Sequence, residues 1–338
     1  MSSKPDILNW VDPKDKSGEF KRQVSSFRSK ISSDPGAEFP PAKDRYHLYV
    51  SYACPWAHRT LLVRSLKGLE DIIPYTSVHW HLGDKGWRFA EKNEKVAGSN
   101  VTPDPLHDEA FTHIRQIYFE SDPDYSGRYT VPVLYDTHSK RIVNNESADI
   151  IRILYHSFDS VLPDKAAAID LLPKDLESAI DEANSWIYDD VNNGVYKSGF
   201  ATTQEAYEKA VTTLFSSLDR IEGHLSSQKD GPFWFGERLT EVDIRLFTTI
   251  IRFDVVYVQH FKCNIRDIRS GYPALHKWVR NLYWNVGGFK ETTQFEHIKK
   301  HYTKSHAQIN PHAITPVGPL PDILPLDEEV NAVKALAK

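Results

Sequence analysis

Cys54 stands in the run Tyr49-Val50-Ser51-Tyr52-Ala53-Cys54-Pro55-Trp56-Ala57-His58-Arg59. The apolar stretch before it reads as a strand, and the stretch after it, through Thr60-Leu61-Leu62-Val63-Arg64-Ser65-Leu66, reads as a helix. Cys54 then caps a tight strand-to-helix turn. Pro55 takes the first helical position, where a missing N–H costs nothing. A sulfur there faces the positive end of the helix dipole and several unpaired N–H groups. That setting lowers a thiol's pKa and yields a nucleophilic thiolate at neutral pH. A thioredoxin-like dithiol needs a second cysteine three positions on, and Ala57 occupies that place. Disulfide chemistry at Cys54 must take its second thiol from elsewhere, and a soluble thiol such as glutathione is the obvious supplier. Free cysteines are often simply buried, but the helix-start position ranks a reactive Cys54 above a structural one.

Other chemistry-bearing residues are weaker candidates. His58 falls one turn after Cys54, and it and Arg59 read as structural before they read as sources of positive potential. His79 and His81 share a strand face by spacing, but no further ligands accompany them, so a metal site is rejected. Cys263 has no helix-start signal and no neighbouring base, and reads as inert.

The elements that must position Cys54 follow from the pattern along the chain. Residues 1–45 are polar and punctuated by Pro, Gly and Ser, with Trp10, Phe20, Phe27 and Phe39 as anchors; they read as an extended arm. Strand signals cover residues 47–51 and 73–80, with the Cys54 helix between them. Residues 82–110 form a long irregular insertion rich in Gly and Pro, the kind of loop that is functional or mobile. Residues 111–120 read as a helix, 128–136 as a strand with Pro132 near its start, 141–143 as a short strand and 146–156 as an amphipathic helix. The order β-α-β-α-β-β-α is thioredoxin-like and spans residues 46–157. From 170 to 302 the pattern is helical almost throughout, with helices expected over 176–191, 204–225, 241–257 and 273–283. Residues 303–338 are a proline-rich tail, with a short helix expected over 328–338.

Composition narrows the function. A chain 40% hydrophobic and 26% charged is an ordinary globular protein, and its 338 residues suit two domains or one large one. A net charge of -5 gives no reason to expect nucleic acid or an anionic membrane as partner. No apolar run approaches the ~20 residues that span a bilayer. The N-terminus lacks a secretory h-region, and Asp6, Asp12, Asp15 and Glu19 argue against a transit peptide. Two cysteines make no disulfide framework, so a reducing, cytoplasmic setting is expected.

A thioredoxin-like domain followed by an all-helical one resembles the glutathione transferase architecture, an α/β plus all-α fold. Val131-Pro132 resembles the Val-Pro pair whose backbone bonds the cysteinyl part of glutathione, across a cis peptide in that fold. Glu146-Ser147 resembles the Glu-Ser pair that holds the γ-glutamyl end, and a helix N-terminus with a serine hydroxyl suits a carboxylate while Glu146 suits an ammonium. Thr240-Glu241-Val242-Asp243 resembles the capping box of the second domain, a folding element. Four further runs set the class: Cys54-Pro55-Trp56-Ala57-His58-Arg59, Gly86-Trp87-Arg88-Phe89, Asn193-Gly194-Val195-Tyr196-Lys197-Ser198-Gly199-Phe200, and Phe253-Asp254-Val255-Val256-Tyr257-Val258-Gln259-His260-Phe261-Lys262-Cys263-Asn264. Together they look like the Xi class, the S-glutathionyl-hydroquinone reductases.

That resemblance implies reduction of a glutathionyl-hydroquinone through a Cys54–glutathione mixed disulfide, with glutathione as cosubstrate and no tightly bound cofactor. It implies that Trp87 and Arg128 join Val131, Pro132, Glu146 and Ser147 on glutathione, and that Tyr196, Tyr257 and Tyr302 meet the hydroquinone. It also implies a homodimer. Two alternatives are weighed beside it. An omega-like thiol transferase or dehydroascorbate reductase would use the same cysteine; Trp87 and the three tyrosines favour bulky quinols instead. A noncatalytic ligand carrier on the same fold would not need Cys54 at a helix start.

Overall fold

The computed structural model describes residues 10–11 and 15–327, so the helix expected over 328–338 lies outside the described residues. The chain divides into two compact units. The first contains β1 (Tyr46–Val50), α1 (Pro55–Leu66), β2 (Tyr75–Ser77), β3 (Leu82–Gly83), β4 (Gly86–Trp87), α2 (Ile114–Ser121), β5 (Val133–Asp136), β6 (Arg141–Asn144), α3 (Ser147–His156) and α4 (Asp164–Ala167). Its sheet runs in the order β2-β1-β5-β6, with β1 parallel to β2 and antiparallel to β5. All five residues of β1 are buried, which a central strand covered on both faces requires. The helix that follows is buried from Pro55 through Arg64, so it has no solvent face to set its rotation. Packing on α3 fixes it, together with Lys67 just past its C-terminus. The Lys67 ammonium is fully buried and satisfied by Asp159 (3.0 Å) and the carbonyls of Ala167 and Ile169 (3.1 and 2.9 Å). At the far end of the sheet, Arg45 holds Asp136 with two parallel 2.8 Å bonds and ties the start of β1 to the end of β5.

Three expected elements are shorter or differently shaped. The strand expected over 128–136 begins only at Val133, because Pro132 offers no N–H to a ladder; the Val131–Pro132 peptide is cis. The strand expected over 73–80 narrows to β2, after which Val78 N–H turns to the Val50 carbonyl and His79 N–H to that of Arg88. The insertion over 82–110 is not wholly irregular. Its start folds into the β3–β4 hairpin, in which Leu82 faces Trp87.

The second unit is helical: α5 (Glu177–Trp186), α6 (Gly194–Phe200), α7 (Gln204–Ser227), α8 (Glu241–Arg252), α9 (Val258–His260), α10 (Ile268–Gly271) and α11 (Pro273–Asn285). The two helices expected over 176–191 and 241–257 widen into π turns at Ile187–Asn192 and Phe253–Tyr257, features that often accompany functional sites. The capping box at Thr240 and Asp243 is present. Asp243 also accepts from Trp234 N–H (2.8 Å) and the Trp278 indole (3.0 Å), so this buried carboxylate knits three segments together. Gly199 is obligatory for packing, since a Cβ there would lie 2.1 Å from the Phe261 ring.

The last helix, α12 (Phe295–Ser305), belongs to the first unit, although the sequence reading placed 170–302 in one helical domain. Its contacts explain why: Ser305 Oγ accepts from Leu82 N–H (3.0 Å), and His297 Nε2 donates to the Ala97 carbonyl (2.6 Å). The arm expected over 1–45 is also divided, with residues 23–45 in the first unit and the described part of 9–22 in the second. The described part of the tail from residue 306 packs with the second unit, where Arg280 and the Trp284 indole both donate to the Leu324 carbonyl (3.0 Å each).

Candidate active site

Cys54 is the N-cap of α1, in extended conformation (φ -78°, ψ 120°), with Pro55 first in the helix. The turn that delivers it is built locally. Cys54 N–H bonds the Ser51 carbonyl (3.0 Å), Ala53 N–H the Ser51 hydroxyl (3.3 Å), and Tyr52 N–H the Ser77 hydroxyl at the end of β2 (3.3 Å). The half-buried Cys54 thiol lies 3.6 Å from the Val131 carbonyl, to which it donates. Two effects oppose each other at this sulfur. The bond to a carbonyl favours the neutral thiol, while the helix terminus favours the thiolate. The S–H donor is weak and the bond long, which limits how far it favours the neutral thiol.

The segment that supplies the Val131 carbonyl is pinned from α2. The Tyr118 hydroxyl donates to the Thr130 carbonyl (2.8 Å) and receives from Thr130 N–H (3.2 Å) and the Asn145 amide (3.1 Å). Arg128 is half-buried in the stretch leading into this segment, and its carbonyl accepts from Tyr125 (3.0 Å). At α3 it is Glu146, not Ser147, that caps the helix: its carboxylate accepts from Ala148 N–H (3.2 Å) and the Ser147 hydroxyl (3.4 Å). Asn144 and Asn145 position it, the former through its Oδ1 on Glu146 N–H (2.8 Å).

Trp87 is buried on β4, its ring 4.7 Å from that of His301 and inclined 31° to it. His301 Nδ1 lies 3.0 Å from the Trp80 carbonyl, which only accepts, so that nitrogen carries a proton. Tyr302 is the next residue on α12, its ring 5.2 Å from His301. Trp87 and Tyr302, two expected site residues, are thus joined through a histidine that sequence reading passed over. In the second unit Tyr196, on α6, and Tyr257, ending its π turn, stand with ring centres 6.2 Å apart and edge to face. Tyr257 stacks on Phe261 (5.5 Å, 3°) and Arg22 lies over Tyr196 (5.2 Å).

The weaker candidates settle into the core. His58 Nε2 meets the Thr292 hydroxyl (2.9 Å), and the buried Arg59 guanidinium lies 4.5 Å over the Trp56 ring. His79 Nδ1 accepts from His81 N–H (3.0 Å), and its other nitrogen is 3.4 Å from Glu94. Among the described residues no group of three or more His, Cys, Asp or Glu could hold a metal ion. The Cys263 sulfur is fully buried near the Phe261 and Val195 carbonyls (3.8 and 4.0 Å), and burial pushes its thiol far above the ordinary value. No helix of the described residues is long and apolar enough to cross a membrane.

Comparison with known proteins accords with this geometry. The glutathione S-transferase N-terminal domain model matches residues 53–157, and the C-terminal domain model matches 204–281. The chain is 55% identical to glutathione S-transferase omega-like 2 of Schizosaccharomyces pombe, over 94% of this chain and 97% of that protein. It is 47% identical to glutathionyl-hydroquinone reductase YqjG of Escherichia coli, over 93% of each. Among solved structures it is similar to the Xi glutathione transferase ECM4 from Saccharomyces cerevisiae in complex with glutathione. There the TM-score is 0.87 and the identity 48%, over 92% of this chain and 100% of that one. With its cysteine at the start of α1, its Val-Pro turn beside that sulfur and these relatives across most of its length, the chain belongs to the glutathione S-transferase family and, within it, to the Xi class.

Proposed function

We propose that this protein reduces S-glutathionyl-hydroquinones to hydroquinones with glutathione as reductant, through a mixed disulfide on Cys54. One arrangement carries the reading: a half-buried thiol at a helix N-terminus, against the carbonyl of Val131, with alanine in the place of a second cysteine. The Cys54 thiolate attacks the glutathione sulfur of the substrate. A sulfur–sulfur bond forms as the carbon–sulfur bond breaks. The electron pair passes to the ring carbon, which a tyrosine hydroxyl protonates, and the hydroquinone leaves. A second glutathione thiolate then attacks the mixed disulfide, freeing oxidised glutathione and Cys54. One thioether and one glutathione give one hydroquinone and one oxidised glutathione.

In this reading the Val131-Pro132 backbone meets the cysteinyl part of glutathione. Glu146 takes its ammonium, the Ser147 N–H at the helix start its γ-glutamyl carboxylate and Arg128 a carboxylate, while the Trp87 indole donates to it. Tyr196, Tyr257 and Tyr302 are assigned to the hydroquinone. The name of the Escherichia coli relative and the glutathione complex of the yeast relative support the activity and glutathione as its reductant. The protein acts in the cytoplasm as a homodimer, in keeping with a sequence of only two cysteines and the frequency of two-fold assemblies.

The omega-like name of the Schizosaccharomyces pombe relative makes dehydroascorbate the competing substrate. Assaying glutathionyl-menadione beside dehydroascorbate separates the two, and faster turnover of dehydroascorbate would reverse the choice. Mass spectrometry after a single turnover should find one glutathione on Cys54; its absence there rules the mechanism out.

A further inference from the structure

The arm reaches the glutathione end of the first unit. Ser25 Oγ lies 3.0 Å from Glu146 Oε2 and 3.4 Å from the Asn145 carbonyl. The residues after it run antiparallel to the end of β6 and are bonded to it on both sides. Phe27 N–H meets Asn145 Oδ1 (3.1 Å), and Asn145 N–H meets the Phe27 carbonyl (3.1 Å). Arg28 bridges to Asn144, Ser29 N–H donates to the Val143 carbonyl (3.0 Å), and the Asn144 amide donates to the Ser29 carbonyl (3.0 Å). Arg28 grips Asp149 in the first turn of α3 with two bonds, one of them 2.8 Å. Four arm residues, Ser25, Phe27, Arg28 and Ser29, thus form an extra edge to the turn that carries Glu146 and Ser147. Asn145 extends the chain of bonds to Tyr118 and the Thr130 carbonyl, one residue before the carbonyl that meets Cys54.

We infer that Ser25 is a positioning residue for recognition of the γ-glutamyl group, and that the arm is part of the glutathione site rather than packing alone. A carboxylate has about four acceptor positions. Among the described residues, Ala148 N–H, Ser147 and Ser25 take three around Glu146, and a cationic donor can take the fourth. Ser25 holds Oε2 while Ala148 N–H and Ser147 hold Oε1, so both oxygens are fixed before the ligand arrives. Such pre-organisation lowers the cost of binding. The inference rests on the assignment of Glu146 to the glutathione ammonium made above.

The test uses the full-length protein and an unreactive probe, S-methylglutathione, with binding measured by calorimetry. Loss of one bond to a charged acceptor should weaken binding roughly fivefold in Ser25→Ala. Ser25→Thr should restore it, and Ser25→Asp, which sets a like charge beside Glu146, should weaken it further. With glutathionyl-menadione the loss in Ser25→Ala should fall on KM, with kcat within about twofold. The cysteinylglycine thioether of menadione, which lacks the γ-glutamyl group, should show no dependence on residue 25. An equal loss on both thioethers, or normal binding by Ser25→Ala, overturns the inference. Glu146→Gln tells the two failures apart. If Glu146→Gln binds poorly while Ser25→Ala binds normally, only the role of the arm falls. If Glu146→Gln itself binds normally, the assignment of Glu146 falls with it. An unchanged thermal midpoint in Ser25→Ala excludes misfolding as the source of a loss.

Discussion

The two cysteines of this chain sit in opposite surroundings. Cys54 caps a buried helix, half-exposed, with a proline after it and the Val131 carbonyl at its sulfur. Cys263 follows α9 with no exposed surface, near the carbonyls of Phe261 and Val195, and burial holds it as a thiol. The same side chain stands at a partly exposed helix start in one place, where we propose a nucleophile, and is a small buried hydrophobe in the other. What differs is whether backbone dipoles and access to solvent favour the anion.

The strongest way to break this contrast is substitution. Cys54→Ser should lower kcat/KM on glutathionyl-menadione by at least ~10^3-fold, because a serine hydroxyl ionises poorly and cannot form the mixed disulfide. Cys263→Ser should stay within about twofold in steady-state rates; a comparable loss there would erase the distinction. Alkylation sharpens the contrast. Titrating iodoacetamide modification against pH, with site-resolved mass spectrometry, should give Cys54 a midpoint below the ~8.5 of a free cysteine. Cys263 should resist the reagent until the protein is unfolded in denaturant.

A smaller effect separates the two units by their carboxylates. Burial would raise Asp136 in the first unit, but the Arg45 fork, Ser139 and His138 N–H overcome it and hold it at about 2. A folded value below the ordinary 3.8 stabilises above that value and is lost as pH falls through about 2. Asp136→Asn should therefore cost about 2 kcal/mol at neutral pH and progressively less below pH ~4. Asp254 in the second unit behaves oppositely. Burial raises it to about 6, despite the N–H groups of Ile268 and Arg269 (2.7 and 2.9 Å). Its contribution is greatest below 3.8 and is lost as pH rises through about 6. Asp254→Asn should flatten the stability profile between those values, measured by denaturant unfolding at each pH. A flat wild-type profile across both windows would show that these carboxylates do not set the stability of either unit.

The parts of the site legible in the sequence are those built within a few residues. The strand, turn and helix around Cys54 follow from an apolar stretch, a cap and a proline. The helix opening at Glu146 follows from an amphipathic run, although Glu146 itself proved to be the cap. Trp87 was singled out through a family resemblance, but the hairpin that holds it was not foreseen, because its strands are two residues each and give no periodic signal. His301 on the Trp87 ring and Ser25 on Glu146 are separated from their partners by more than a hundred positions, and no spacing rule reaches that far. A proline-broken strand and two π turns likewise escaped the pattern, since apolar periodicity does not register a one-residue change in hydrogen bonding.

The sequence by itself determined the helix start that carries Cys54, because a cap and a proline are set by their own turn of backbone. Only the tertiary structure decided which distant segments complete the surroundings of that cysteine. It drew α12 to the Trp87 hairpin and laid part of the arm along β6. Those choices depend on which buried donors and rings find partners when the chain closes on itself, and burial is a property of the whole fold, not of any window within it.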